Sequence, residues 1–265
     1  MKKIAFTAAL ATTLLLTLNT SFATDMTVEG IVDKANHTAY YQGDDGKAKV
    51  TMTITDSQGR DRTRDFVILR KDDGVDDGAQ KMYVYFRRPA DVNKTAFLVW
   101  KQTGQADDRW LYLPALDLVK RIAASDERTS FVGSHFFYED VSGRSPTEDT
   151  HELIEESDQF YVLKSTPKEP QDVEFSYYKN WIHKGTYIPV KTEFFDKAGT
   201  SYRTYEALKV ETVQGHPTIT QSKMTDQNLG GSTLMDYSKV EYDLGLPDEI
   251  FSERYLRTAP RQYLR

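Results

Sequence analysis

Apolar and polar positions alternate with two different periods along this chain. From Asp25 to Gln42, Val28, Ile31, Val32, Ala35 and Ala39 share one side of a 3.6-residue repeat, while Glu29, Asp33, Lys34 and Asn36 fall elsewhere. That spacing predicts an amphipathic helix, with Asp25, Thr27 and Glu29 suited to its first turn and Gly43-Asp44-Asp45-Gly46 to its end. From Ala48 the period becomes two. Val50, Met52 and Ile54 alternate with Thr51, Thr53 and Thr55, and Asp56-Ser57-Gln58-Gly59 turns the chain into a return strand through Leu69, which together predict a hairpin.

The next segments are apolar on both faces. In Met82–Phe86 one face carries Met82, Val84 and Phe86 and the other Tyr83 and Tyr85; in Phe97–Trp100 the faces carry Phe97 and Val99 against Leu98 and Trp100. Successive strand side chains point to opposite sides of a sheet, so such strands must be covered on both. Strands are expected over Lys81–Arg87, Lys94–Gln102, Arg109–Leu113 and Leu118–Ile122. From Ala123 the alternation stops, and Phe131, Phe136, Phe137 and Tyr138 lie in a Gly- and Ser-containing stretch read as a long ordered loop with a helical turn. Strands resume as a meander over His151–Glu156, Gln159–Thr166, Val173–Lys179, Tyr187–Asp196, Ser201–Val213, Pro217–Asp226 and Ser232–Tyr242. Asn180–Gly185 fits a strand end or a helical turn. Pro247 with Asp248 and Glu249 opens a short helix carrying Ile250 and Phe251. The expected fold is mainly β: about ten or eleven antiparallel strands in a highly twisted sheet that curls into a closed barrel or an open half-barrel, with the N-terminal helix covering one side.

Residues 1–23 read as a secretory signal, with Lys2 and Lys3, an apolar run from Ile4 to Leu18 and a small-x-small cleavage pattern at Ser21-Phe22-Ala23. Cleavage near Ala23–Thr24 leaves a single domain over 24–265 and places it in the periplasm, or secondarily outside the cell. There is no cysteine, so neither a disulfide nor a thiolate metal site can form. The formal net charge of −6 becomes −8 without the two leader lysines, which disfavours nucleic acid and anionic membrane surfaces.

Candidate chemistry is sparse. His37, His135, His151, His183 and His216 are not paired at metal-ligand spacing, and no phosphate loop or Gly-x-Ser-x-Gly elbow occurs. His135 and Glu139 stand four apart, where a local hydrogen bond is expected, and Ser134, His135 and Asp140 form a triad only by composition. The acidic run Asp72–Gly78 lacks the alternate-position ligands of a calcium loop and reads as a hairpin tip. No catalytic residue, metal or cofactor is assigned. Arg87, Arg109 and Arg121 flank the apolar runs, where a guanidinium can pair with a lipid headgroup, latch a lid or simply meet a nearby carboxylate.

Three stretches, MYVYFRRPADVNKTAFLVWKQ (82–102), DDRWLYLPALDLVKRIAASDERTSFVGSHFFYEDVSGR (107–144) and YSKVEYDLGLPDEIFSERYL (237–256), resemble the outer-membrane lipoprotein-sorting protein family, relatives of the periplasmic carrier LolA. The resemblance spans essentially the whole mature chain. It implies an unclosed half-barrel with helices over a hydrophobic concave face, a non-enzymatic carrier, and lipid or lipoprotein acyl chains as cargo. Implied partners are an inner-membrane transporter, of the resistance-nodulation-division or lipoprotein-releasing type, and an outer-membrane acceptor. An accessory role docked on such a pump, without cargo, is the alternative. The arginine that governs transfer in the dedicated carrier has no assigned counterpart among Arg60, Arg62, Arg64 and Arg70. On this reading Phe86, Phe97, Val99, Trp100, Trp110 and Tyr112 supply the cavity and Phe131, Phe136 and Phe137 part of its cover, although a one-residue register error would invert the inward set.

Overall fold

A computed structural model describes residues 26–74 and 77–265; the signal and two residues of the acidic hairpin tip lie outside them. Thirteen strands form one antiparallel sheet: β1 (Asp45–Asp56), β2 (Asp61–Asp72), β3 (Gln80–Arg88), β4 (Ala96–Lys101), β5 (Asp108–Leu113), β6 (Leu118–Ile122), β7 (Asp149–Glu156), β8 (Phe160–Pro167), β9 (Tyr177–His183), β10 (Pro189–Phe195), β11 (Ser201–Val213), β12 (His216–Asp226) and β13 (Gly231–Tyr242). The order is β6-β5-β4-β3-β2-β1-β13-β12-β11-β10-β9-β8-β7. The first and last strands therefore meet in the middle, and the two free edges, β6 and β7, are neighbours in sequence. The sheet is not closed into a barrel, which decides between the two architectures left open by the pattern.

Two expectations shift. The count is thirteen rather than ten or eleven, and the strand expected at Val173–Lys179 is β9, four residues later. Its pairing with β8 and β10 runs through Asn180 to Ile182, so the ambiguous segment is strand. Phe175 instead packs its ring in a side cluster with Tyr178 and Phe194.

The N-terminal helix α1 (Val28–Tyr40) is capped by Thr27, whose hydroxyl accepts from the Gly30 amide at 3.1 Å. It buries Ile31 and Ala35 against Leu163 of β8 and Ile182 of β9, the stripe the helical period predicts. Residues 123–148 run between the two free edges as a cover that includes α2 (Tyr138–Ser142). Cover and α1 touch at Gly143, whose φ is +83° and whose missing Cβ would stand 2.9 Å from the Tyr40 ring; a side chain there would be strained and in collision.

The strands that are apolar on both sides owe this to two different protein layers. On the convex face Val67, Leu69, Tyr83, Ala96, Leu98 and Trp110 are buried beneath the C-terminal segment, which contributes Leu246, Ile250, Phe251, Leu256 and Leu264 and contains α3 (Arg254–Arg257). Hydrogen bonds fasten it, among them those from the Tyr83 hydroxyl to the Tyr255 carbonyl at 2.8 Å and from Trp100 Nε1 to the Phe251 carbonyl at 2.7 Å. On the concave face Phe66, Phe86, Phe97 and Val99 pack against Phe131, Phe136 and Tyr138 of the cover.

Candidate functional site: a cavity beneath the N-terminal helix

The concave face is unevenly furnished. Toward β2–β5 its inward side chains are large, and the cover fills the space above them. Phe131, fully buried, lies 5.7 Å from Phe86, 5.8 Å from Phe97 and 6.1 Å from Phe66 between ring centres, so this half is a core. Toward β8–β13 small and polar residues are mixed with large ones. On β12 the buried alternate residues are Thr218, Thr220, Ser222, Met224 and Asp226, of which Thr218 and Met224 line the space, and Ser165, Asn180 and Thr192 line it from β8, β9 and β10. The overlying helix presents Val32, Ala35 and Ala39, which are small. A cavity of about 370 Å³ remains there, at the lower end of the roughly 300–1,000 Å³ usual for small-molecule sites.

Its apolar wall includes Ala48, Ile68, Met82, Phe136, Met224 and Met235, and of the five tyrosines that line it Tyr40, Tyr205 and Tyr237 lie near one another. Burial pushes the ionisation of all three above the usual phenol range, helped at Tyr40 by the nearby Asp140 carboxylate and at Tyr205 by the other two tyrosines, so they are neutral hydroxyls. The charged groups are knotted together. Arg144 donates to Glu139 at 2.9 Å and to both oxygens of Asp149 at 3.0 Å, and the Tyr178 hydroxyl donates to Asp149 at 2.7 Å. Arg203 pairs with Asp140, donates to the His135 carbonyl at 2.9 Å and stacks 3.8 Å over the Phe137 ring. Glu139 is pushed up to about 7, burial outweighing the attraction of Arg144 and Arg128.

Among the nine apolar candidates, Phe136 alone lines this cavity. Phe86, Phe97 and Val99 face the same side but are buried under the cover, and Phe131 is part of that plug. Trp100, Trp110 and Tyr112 are on the opposite face beneath the C-terminal segment. The expectation that all six strand residues share one cavity is corrected by the strand period: Phe97 and Val99 alternate with Trp100, and Leu98, not Phe97, pairs with Trp110. Phe137 is half-buried under Arg203. Arg109 is buried on β5, pairing with Glu127 of the cover at 2.5 Å and Asp107 at 2.8 Å. Arg121 is exposed and pairs with Asp108, and Arg87 lies outside the cavity lining.

His135 and Glu139 do not meet: His135 Nδ1 lies 2.9 Å from the Thr233 hydroxyl, while Glu139 belongs to Arg144. Ser134 is bonded to its own turn and Asp140 to Arg203, so no triad is assembled. Among the described residues no cluster of His, Asp or Glu could hold a metal ion. Sequence reading missed Gln80, Arg144, Arg203 and the three tyrosines. The legible signal was β12, a strand whose buried side is Thr, Thr, Ser and Met rather than aromatic.

A solved structure of a DUF1329 family protein from Desulfovibrio piger is 30% identical, with a TM-score of 0.78 over 86% of this chain and 98% of that one. This chain belongs to the DUF1329 family. A family model described as "Uncharacterized protein" matches residues 78–258 of the DUF1329 chain. An outer membrane lipoprotein-sorting protein domain from Vibrio parahaemolyticus is 29% identical, with a TM-score of 0.76 over 86% of this chain and 97% of its own. A LolA superfamily protein from Nitrosomonas europaea, 21% identical with a TM-score of 0.67 over 86% and 99%, shares the fold. No curated protein matches the chain.

Proposed function

We propose that this DUF1329 protein is a periplasmic carrier that shelters a hydrocarbon chain in the cavity beneath α1 and passes it between envelope membranes, receiving it from or delivering it to an inner-membrane transporter. The observation that carries this reading is the unfilled space itself: about 370 Å³ remains between α1, the cover and the concave face of the sheet. Native interiors keep few voids larger than a water molecule, so a space this large with an apolar wall suits a guest. Each methylene moved from water into it gains about 0.8 kcal/mol. The likeness to the Vibrio lipoprotein-sorting protein domain supports the same class of cargo.

Organic extraction of the protein purified from its native compartment, followed by mass spectrometry, is expected to yield about one hydrocarbon-chain molecule per protein. Because Trp100, Trp110 and Trp181 all lie outside the cavity lining, binding should be read with an environment-sensitive acyl probe and not by tryptophan emission. Ala39→Phe, which fills the cavity from α1, should abolish probe binding while the unfolding midpoint stays level or rises. Retained binding in that variant would move the site elsewhere.

A further inference from the structure

The charged groups around the cavity are already spent on one another. Lys47 pairs with Glu241 at 3.0 Å, Arg70 with Asp72 at 3.3 Å and with the Gln42 carbonyl, Arg144 with Glu139 and Asp149, and Asp140 with Arg203. His151 is engaged by the Ser165 hydroxyl at 2.8 Å and the Pro146 carbonyl at 2.9 Å. Among the described lining residues, each cation therefore has its counter-charge. A phosphate or carboxylate entering here would find no free cation, and an ammonium no free carboxylate. Seating either would mean burying an uncompensated charge or breaking an existing pair.

Among the described lining residues, the buried side-chain atom left without a hydrogen-bond partner is neutral. Gln80 is 1% exposed, and its Nε2 is committed to the Tyr40 carbonyl at 2.7 Å and to Asp72 at 2.8 Å. Both of those are acceptors, which fixes the amide orientation and leaves Oε1 buried without a partner. The Tyr237 hydroxyl donates to the Met235 sulfur at 3.2 Å, a weak acceptor. One orphan acceptor and one under-used hydroxyl beside an apolar wall make a site for a neutral oxygen or amide function.

We infer that the cavity selects a single-chain amphiphile whose buried polar group is uncharged, a hydroxyl, ester or amide, and rejects ionised headgroups. This rests on the carrier reading and narrows its cargo. The cavity's volume, at the low end for ligand sites, favours one chain over a diacyl lipid with its headgroup.

The test is competition against an environment-sensitive acyl probe bound to the full mature chain at pH 8, with competitors of one tail length. Lauryl alcohol and monolauroylglycerol represent free neutral lipids, and a neutral N-lauroyl peptide an acyl group carried by a protein. Laurate, lauryl phosphate and lauryl trimethylammonium represent the charged classes. The neutral set is expected to displace the probe at least ~10-fold more effectively, and whichever neutral arm leads identifies the source. Tyr237→Phe should weaken the leading neutral ligand ~2–10-fold, the worth of one uncharged hydrogen bond, and leave a plain alkyl probe unchanged. Charged competitors binding as well as neutral ones would overturn the headgroup inference alone. A probe that never binds would overturn it together with the carrier reading.

Discussion

Glu139 shows how the site's chemistry differs from what its spacing suggests. It lies on α2, is almost fully buried, and faces Arg144 and Arg128 together with Glu127 and Asp140. Burial raises it from 4.5 to about 7. Between those two values the folded protein holds a proton that the unfolded chain has released, so stability from this residue falls as pH rises through the window and levels off above 7. The full ionisation penalty is roughly 3 kcal/mol at about 1.4 kcal/mol per unit. Glu139→Gln removes the titration. Chemical denaturation of both proteins from pH 5 to 8 should show the wild type losing ground to the variant as pH rises. A difference that stays flat would mean that Arg144 and Arg128 hold the ionised carboxylate as well as water does. None of this was visible in the His135–Glu139 spacing, because the partner of each residue comes from a distant or differently oriented segment.

At the scale of elements, the two covers of the sheet do separate jobs, and this separation can be tested. Phe251 is 1% exposed on the convex face among Tyr83, Leu98 and Trp110. Phe251→Ala should cost about 3–5 kcal/mol, as truncating a buried aromatic does, measured by urea unfolding. Acyl-probe affinity under native conditions should be unchanged, because the lesion is on the other side of the sheet from the cavity. Lost affinity at full folding would couple the two faces. The elements themselves were largely legible. The period of α1, the alternation of β1 and β11–β13, and the Gly- and Pro-containing turns are local signals, and they specify local structure. The doubling of apolar faces on β3 and β4 was also legible, but its cause was not. The spacing of Leu246, Ile250, Phe251, Leu256 and Leu264 follows no regular period, so nothing local says that they form a layer. The cavity was hidden for a related reason. It is defined by small side chains such as Ala35, Ala39 and Ala48 failing to fill a space, and emptiness has no sequence pattern. The aromatic residues drew attention because they are large, which is also why they fill the half of the concave face that is not open.

In the whole molecule, the strand order makes the cover the part most able to govern traffic. β6 and β7 are the free edges, and residues 123–148 join them, so the chain itself spans the gap that an open sheet leaves. Between its tethered ends the cover is pinned by Arg109 to Glu127, by Arg203 to Asp140 and the His135 carbonyl, and by Lys101 Nζ to the Gly143 carbonyl at 3.0 Å. Cargo leaving past the cover must break some of these contacts, and the Arg203–Asp140 pair is the one adjoining the cavity wall at Asp140 and Phe136. Removing one partner would strand a buried charge and confound loosening with unfolding. The double substitution Arg203→Met with Asp140→Asn avoids this, and the Asn side-chain oxygen can still accept from the Phe137 amide at the start of α2. Amide hydrogen exchange in residues 131–142 should then accelerate about tenfold while β1–β4 keep their protection, since local opening is a separate, lower-energy event than global unfolding. If cargo passes this way, the release rate of a bound acyl probe will rise by the same factor. Faster exchange in the cover with an unchanged release rate would place the exit under α1, on the far side of Tyr40 and Gly143.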